Sequence, residues 1–198
     1  MLGQDAVDVW WVRLADAADA RADLLTPAER ERFDRYVRDE DRWRFAAGSA
    51  VVRLATSGYV GTNAHDIPLD RSCPDCGRPH GRVRLPAAYG LEVSVTHSGE
   101  WVGVAFARRP VGLDVERTRP RDDLDGIARL ALDPAEAEIL AGLPERSRPA
   151  AFTRYWARKE AVLKATGEGL RTPPAQVAVS APDDAPRLLA HAGRPGLA

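Results

Sequence analysis

Between Leu91 and Glu116 the chain reads LEVSVTHSGEWVGVAFARRPVGLDVE, three short runs of Val, Leu, Ala and aromatic residues divided by His97-Ser98-Gly99-Glu100 and Arg108-Arg109-Pro110. Short apolar runs bounded by turn-forming residues read as strands. The stretch predicts a three-stranded antiparallel meander in the middle of the chain.

Helices flank it on both sides. The opening VDVWWVRL reads as a further strand, after which Thr26-Pro27 supplies an N-cap and a proline at the first helical position, starting a charged helix to about Arg38. A second helix runs from Arg42 to about Ser57, where Trp43, Ala47, Ala50 or Val51, and Leu54 recur at helical spacing and leave Arg44 and Arg53 on the shoulders of that stripe. Gly58 to Leu85 is rich in Gly, Pro, Asn and Asp and reads as loop, with one short strand near Ile67. Beyond the meander, TRPRDDLDGIARLAL reads as a mobile loop passing into a short helix. Asp133-Pro134-Ala135-Glu136 then has the form of a capping box opening a helix to about Ala141. Arg148-Pro149 opens the last long helix, Gly167 ends it, and QVAVS and RLLAHA supply two closing strands. Each half sets a long helix beside short strands, without visible sequence repetition. The fold class is α+β, with expected subdomains at residues 1–106 and 107–198.

Composition narrows the function classes. The 28 basic and 29 acidic residues nearly cancel, so no global field draws the chain to nucleic acid or an anionic membrane, and an anion site must be local. The start lacks the basic-then-apolar order of a signal peptide and no apolar run approaches membrane-spanning length, so a cytoplasmic protein is expected. Cys73-Pro74-Asp75-Cys76 is half the ligand set of a zinc ribbon, which His80 or His65 could extend; spacing alone favours a tight loop with two reduced thiols.

Three carboxylates and one lysine carry the chemistry. Asp114 and Glu116 are two apart in a predicted strand, so both side chains leave one face. Such a pair is either a charged strand edge or a Mg²⁺ site, since a hard cation takes carboxylate oxygens and keeps positions for water and phosphate. Lys159 and Lys164 are the chain's two lysines, among arginines everywhere else. Trp156, Glu160 and Lys164 fall at i, i+4 and i+8 and form a row on one helical face. A surface ion pair would be served equally by arginine, whereas a phosphate calls for a compact, mobile ammonium. His97 stands at a strand end between the hydroxyls of Thr96 and Ser98, suited either to bonds with its neighbours or to an anion.

VSVTHSGEWVGVAFA, PVGLDVERTRP and YWARKEAVLKATGEGL together resemble, in order and spacing, the signature blocks of 4'-phosphopantetheinyl transferases of the surfactin-synthetase-activating type. The helix PAERERFDRYVRDEDRWRF, the VVRLA helix and the Gly77-Arg78-Pro79 turn resemble that family's N-terminal half. The resemblance implies transfer of the phosphopantetheine arm of coenzyme A to a serine of an acyl or peptidyl carrier protein, by a monomer of two similar α+β halves. It implies that Asp114, Glu116 and Glu160 hold Mg²⁺, that Glu160 takes the serine proton, and that Lys164 contacts the transferred phosphate. It further implies coenzyme A contacts from Thr96, His97, Arg44, Arg53 and Arg78. Glu29 stands where a basic phosphate-binding residue can occur, so Arg30 or Arg32 must supply that contact. Thr118 to Leu132, with Arg119, Arg121 and Arg129 among Leu124, Ile127 and Leu130, suits either an acidic carrier-protein helix or plain solvent exposure. The competing function is a non-catalytic carrier-protein or nucleotide-binding module on the same scaffold.

Overall fold

The computed structural model describes residues 2–17 and 22–197, which fall into two compact units, Met1–Val115 and Glu116–Ala198. Both are mixtures of helix and sheet, so the molecule is α+β.

The first unit is built on β1 (Val7–Arg13), β2 (Glu92–Ser98) and β3 (Trp101–Ala107), paired antiparallel in the order β1-β3-β2. β2 and β3 form the expected hairpin, turning at Gly99 with φ 57°. The third strand of the sheet is the N-terminal segment and not VGLDVE, which corrects the predicted meander. Residues 110–120 form no ladder with β2. The backbone N–H groups of Leu113 and Val115 donate instead to the hydroxyls of Ser94 (3.0 Å) and Thr96 (3.2 Å). Two hydroxyls two residues apart leave the same face of β2, so the extended segment lies over that face.

Against the opposite face packs α2 (Asp39–Val60), joined to α1 (Pro27–Arg35) by a short turn. Val52 and Ala55 meet Val93, Val104 and Phe106 in the core. Gly48 permits the closest approach, since a Cβ there would lie 3.3 Å from Val95. The stripe anticipated on this helix marks its buried side at Ala47 and Ala50 but not at its end. Leu54 is exposed, whereas Ala46, Ala47, Ser49 and Arg53 are buried. Small side chains let α2 be covered on two sides at once, by the sheet and by the loop that follows it. The segment near Ile67 forms no strand, and the loop's pairing is a single bridge, Asp70 to Arg84.

The second unit contains α3 (Leu124–Ala131), α4 (Pro134–Gly142), α5 (Arg148–Thr166) and a hairpin of β4 (Val177–Val179) with β5 (Leu188–His191). The Asp133 capping box forms as its sequence predicts, with Asp133 accepting from Ala135 and Glu136 and the Glu136 side chain accepting from the Asp133 N–H. Along α5 a buried stripe of Phe152, Tyr155, Lys159 and Leu163 faces Leu132, Leu140, Val177 and Val179. Gly167 at φ 71° closes that helix in a left-handed cap. Among the described residues no helix is long and apolar enough to cross a membrane.

Candidate active site

The D-x-E motif spans the division of the chain, Asp114 standing one residue before the end of the first unit and Glu116 opening the second. Both carboxylates are half-buried. Asp114 is oriented by β2, for the buried Thr96 hydroxyl donates to its Oδ1 at 2.9 Å while accepting the Val115 N–H. Thr96 thus holds both the acid and its backbone. His97 is one residue further on and leaves the other face of the strand, where it is exposed. The structure therefore places Thr96 with Asp114 and His97 apart from them, toward the side on which α2 packs.

On α5, Trp156, Glu160 and Lys164 form the anticipated row and all three are half-buried. Trp156 stacks on Phe152 at 6.4 Å, which fixes the start of the row against the core. Lys159 has a different environment from Lys164. It is fully buried, and its ammonium donates to Glu136 Oε2 at 2.5 Å, to Val177 O at 2.6 Å and to Pro174 O at 3.0 Å. Burial pulls that ammonium below its ordinary pKa, and Glu136 opposes the pull. Three donors meet three acceptors, so Lys159 ties α5 to α4 and β4. Its position in the Phe152–Tyr155–Leu163 stripe was the sequence signal for this role.

The arginines form a second cluster, in the first unit. Arg53 is 1 % exposed and donates to Ile67 O at 3.1 Å while pairing with Glu29 at 2.8 Å. Expected as a coenzyme A contact on the shoulder of the predicted stripe, it is an interior cation covered by the loop at Ile67. Arg71, which sequence reasoning did not single out, lies 4.0 Å from Glu29 and 5.1 Å over the Phe45 ring. Arg32 covers the same ring at 4.9 Å and donates to Pro79 O. Glu29 thus meets Arg53 and Arg71, and the Phe45 ring lies under Arg71 and Arg32. Burial lowers the Arg71 pKa to about 10, with Glu29 opposing and Arg32 and Arg53 adding to the fall. A cluster with that excess of positive charge is chemically suited to an anion. Arg30 is turned to Ala22 O, leaving Arg32 as the member of its helix in the cluster. Arg44 ties α2 to the β2–β3 turn through Gly99 O (2.5 Å) and pairs with Asp41 (2.7 Å) and Glu40 (3.1 Å). Arg78 is exposed, its Nε 3.5 Å from Cys76 Sγ.

A model of the 4'-phosphopantetheinyl transferase superfamily matches residues 110–196. That range contains Asp114, Glu116, Lys159, Glu160 and Lys164. The chain is 34% identical over 170 residues to the 4'-phosphopantetheinyl transferase HetI of Nostoc sp., an alignment covering 84% of this chain and 70% of HetI. It belongs to the 4'-phosphopantetheinyl transferase family. It is also 28% identical over 150 residues to the 4'-phosphopantetheinyl transferase Sfp of Bacillus subtilis, across 76% of this chain and 63% of Sfp. A phosphopantetheinyl transferase of Thraustochytrium sp. is 28% identical over 186 residues, across 83% and 62% of the two chains. This transferase therefore spans somewhat less than two thirds of the length of some relatives and somewhat more of others. Family membership accounts for the D-x-E pair and the α5 row occurring together, which neither motif alone explains.

Proposed function

We propose that the protein transfers the 4'-phosphopantetheine group of coenzyme A to a serine of an acyl or peptidyl carrier protein, in a Mg²⁺-dependent reaction that releases 3',5'-ADP. The observation that carries the reading is the Thr96–Asp114 hydrogen bond. It engages Asp114 by Oδ1, the arrangement by which an outer group orients a carboxylate toward a cation. An all-oxygen donor set of carboxylates suits Mg²⁺, which retains waters and phosphate oxygens in its remaining positions. Asp114, Glu116 and Glu160 are the residues proposed to hold it. When bound, the ion neutralises charge on the pyrophosphate.

The chain's own groups do the rest. The carrier serine oxygen attacks the β-phosphorus, forming one P–O bond as the bond to the bridging oxygen breaks and 3',5'-ADP departs. Glu160 takes the serine proton, directly or through one water, and the Lys164 ammonium meets the developing charge on the phosphoryl oxygens. Phosphoryl transfer asks little else of a protein than position and charge. Thr96, His97, Arg78 and Arg32 are the proposed coenzyme A contacts, and Arg71 joins them as a candidate for the remote phosphate. Arg53 and Arg44, expected from the resemblance as direct contacts, fit better as positioning residues, because their guanidiniums are committed to Glu29 and Ile67 and to Gly99, Asp41 and Glu40. For the carrier, α3 offers exposed Arg129 and Leu130, the latter 78 % exposed, beside the exposed Arg119 and Arg121.

The two units are also read as similar halves in a pseudo-twofold arrangement. Support comes from Leu25-Thr26-Pro27-Ala28-Glu29 and Leu132-Asp133-Pro134-Ala135-Glu136, which open a capped helix in each.

Mass spectrometry of an apo carrier protein incubated with coenzyme A and Mg²⁺ tests the assignment. A phosphopantetheine mass gain is expected with the wild type. With Asp114→Ala or Glu160→Gln the rate should fall by about 10²–10³-fold or more. Undiminished transfer by either variant would remove that residue from the site, and binding without transfer by the wild type would favour the non-catalytic module.

A further inference from the structure

The loop from Asp70 to Arg84 has features that phosphopantetheine transfer does not use. It is closed at its base by paired backbone bonds between Asp70 and Arg84 (3.0 and 2.8 Å) and by the Arg84 guanidinium on the Asp70 carboxylate. Between those ends it forms neither helix nor strand, and its tip from Pro74 to His80 is exposed. A long irregular loop with little apolar content needs some other source of order.

Its tip supplies one. Cys73, Cys76 and His80 present Sγ, Sγ and a ring nitrogen that all lie within 4.8 Å of one another. Both cysteines are free thiols, and Cys76 Sγ is 3.0 Å from His80 Nε2. The backbone is folded to bring them together. Gly77 donates to Cys73 O at 2.8 Å with φ 70°, Cys73 donates to Arg78 O at 2.8 Å, and His80 donates to the same carbonyl at 2.9 Å. Gly81 then passes so close to Arg71 and Ser72 that a Cβ would fall 2.7 Å from the Ser72 carbonyl. The spacing C-x₂-C-x₃-H is thus made into a three-sided cage.

We infer that Cys73, Cys76 and His80 bind a Zn²⁺ ion that orders the 70–84 loop, a site separate from the proposed Mg²⁺ carboxylates. Two thiolates and an imidazole are soft and borderline ligands, which select zinc over magnesium or calcium. Tetrahedral zinc with bonds of about 2.3 Å to sulfur and 2.0 Å to nitrogen separates its ligand atoms by roughly 3.5–3.8 Å, so small side-chain rotations suffice. Binding releases the thiol protons. His65 does not complete the set, because its Nε2 faces Asp23 at 3.8 Å; the fourth position opens to solvent and takes water. The ion's reach extends past the loop, since Pro79 O, one residue before His80, accepts the Arg32 guanidinium at 2.6 Å. A closed cage therefore holds the loop against α1.

Elemental analysis of the full chain, purified under reducing conditions and dialysed after exposure to Zn²⁺, is expected to give about one zinc per molecule. Cys73→Ser and Cys76→Ser should each lower that content by roughly tenfold or more. Because a variant could fold poorly, the wild type is also reconstituted with Co²⁺, whose visible spectrum should show tetrahedral thiolate coordination. Stripping zinc from the wild type with a chelator should speed tryptic cleavage after Arg82 several-fold relative to cleavage elsewhere. Folded, reduced wild type that retains no zinc would overturn the inference, as would full zinc retention by Cys76→Ser. Neither result bears on the transferase reading, which the carrier-protein mass gain tests on its own.

Discussion

Each unit buries one cation from its long helix against the carboxylate of a helix-capping box, yet the two constructions differ in how completely they are closed. In the first, Arg53 of α2 meets Glu29, which also caps α1 through Thr26. In the second, Lys159 of α5 meets Glu136, which also caps α4 through Asp133. The cation follows its glutamate by 24 residues in one case and one fewer in the other, and each also reaches a backbone carbonyl further on, Ile67 O or Pro174 O. The second construction is sealed. Lys159 is 0 % exposed, Glu136 is 4 % exposed, and the second Glu136 oxygen accepts the Val179 N–H at 2.8 Å. The first is less closed at Glu29, which is 11 % exposed and has a second guanidinium, Arg71, 4.0 Å away. A compact ammonium suits a closed cage with three acceptors, while a planar fork suits a site that bonds a carbonyl and a carboxylate at once. The comparison teaches that one device serves two ends, holding the fold in the C-terminal unit and holding a positive surface in the N-terminal one.

The largest effect should come from breaking the sealed pair. Lys159→Ala leaves the Glu136 carboxylate buried with no cation and takes the ammonium donor from two carbonyls, and is expected to cost about 3–5 kcal/mol in urea unfolding. Lys159→Arg should also destabilise, because the larger fork has no room among Pro174, Val177 and Glu136. A loss below about 1 kcal/mol for Lys159→Ala, the range of an exposed pair, would mean that Lys159 is not the tie described here.

Opening the first pair should cost less and respond to salt. Glu29→Gln keeps an oxygen for the cap but removes the negative charge that Arg53 and Arg71 face; a loss of about 1–3 kcal/mol is expected. Phosphate or sulfate should restore part of that loss by replacing the missing charge. Glu136→Gln should gain nothing from either anion, since its site is closed to solvent. Equal response of the two variants to phosphate would erase the distinction between open and sealed.

Much of this was legible from the sequence. The helix starts at Thr26 and Asp133, the end at Gly167, the β2–β3 hairpin and the α5 row all follow from local chemistry that a single segment carries. What was missed depends on contacts between distant segments. The place of β1 beside β3 could not be read from either strand, and VGLDVE has strand composition although its N–H groups go to the Ser94 and Thr96 side chains. Arg53 was misread because its burial is caused by Ile67, fourteen residues away. Glu29, which stands where a cation is expected, is the carboxylate that Arg53 and Arg71 meet. The repeated Leu-[Thr/Asp]-Pro-Ala-Glu was present to be seen, but one position differs, and its meaning lies in Arg53 and Lys159, outside the repeat itself.

The smallest effect concerns the base of the cysteine loop, where order comes from exposed charge and not from burial. Asp70 accepts the Ser72 N–H at 2.8 Å and the Arg84 guanidinium at 2.8 Å, and these bonds lower its carboxyl pKa to about 2, the Ser72 contacts first and Arg84 after them. A carboxyl whose pKa is depressed in the folded state contributes stability that is fully present above its ordinary value of 3.8 and is lost as pH falls through about 2. Between those values the loop base should therefore loosen. Solvent screening keeps the contribution to global stability small, so the useful readout is local. The Asp70 carboxyl carbon followed by nuclear magnetic resonance should titrate near 2, and Asp70→Asn should raise amide exchange between Arg71 and Arg84 without changing it in α5. Titration of that carboxyl at its ordinary value would show that the Ser72 and Arg84 contacts do not hold the loop in solution, and the cage at its tip would then have to order the segment alone.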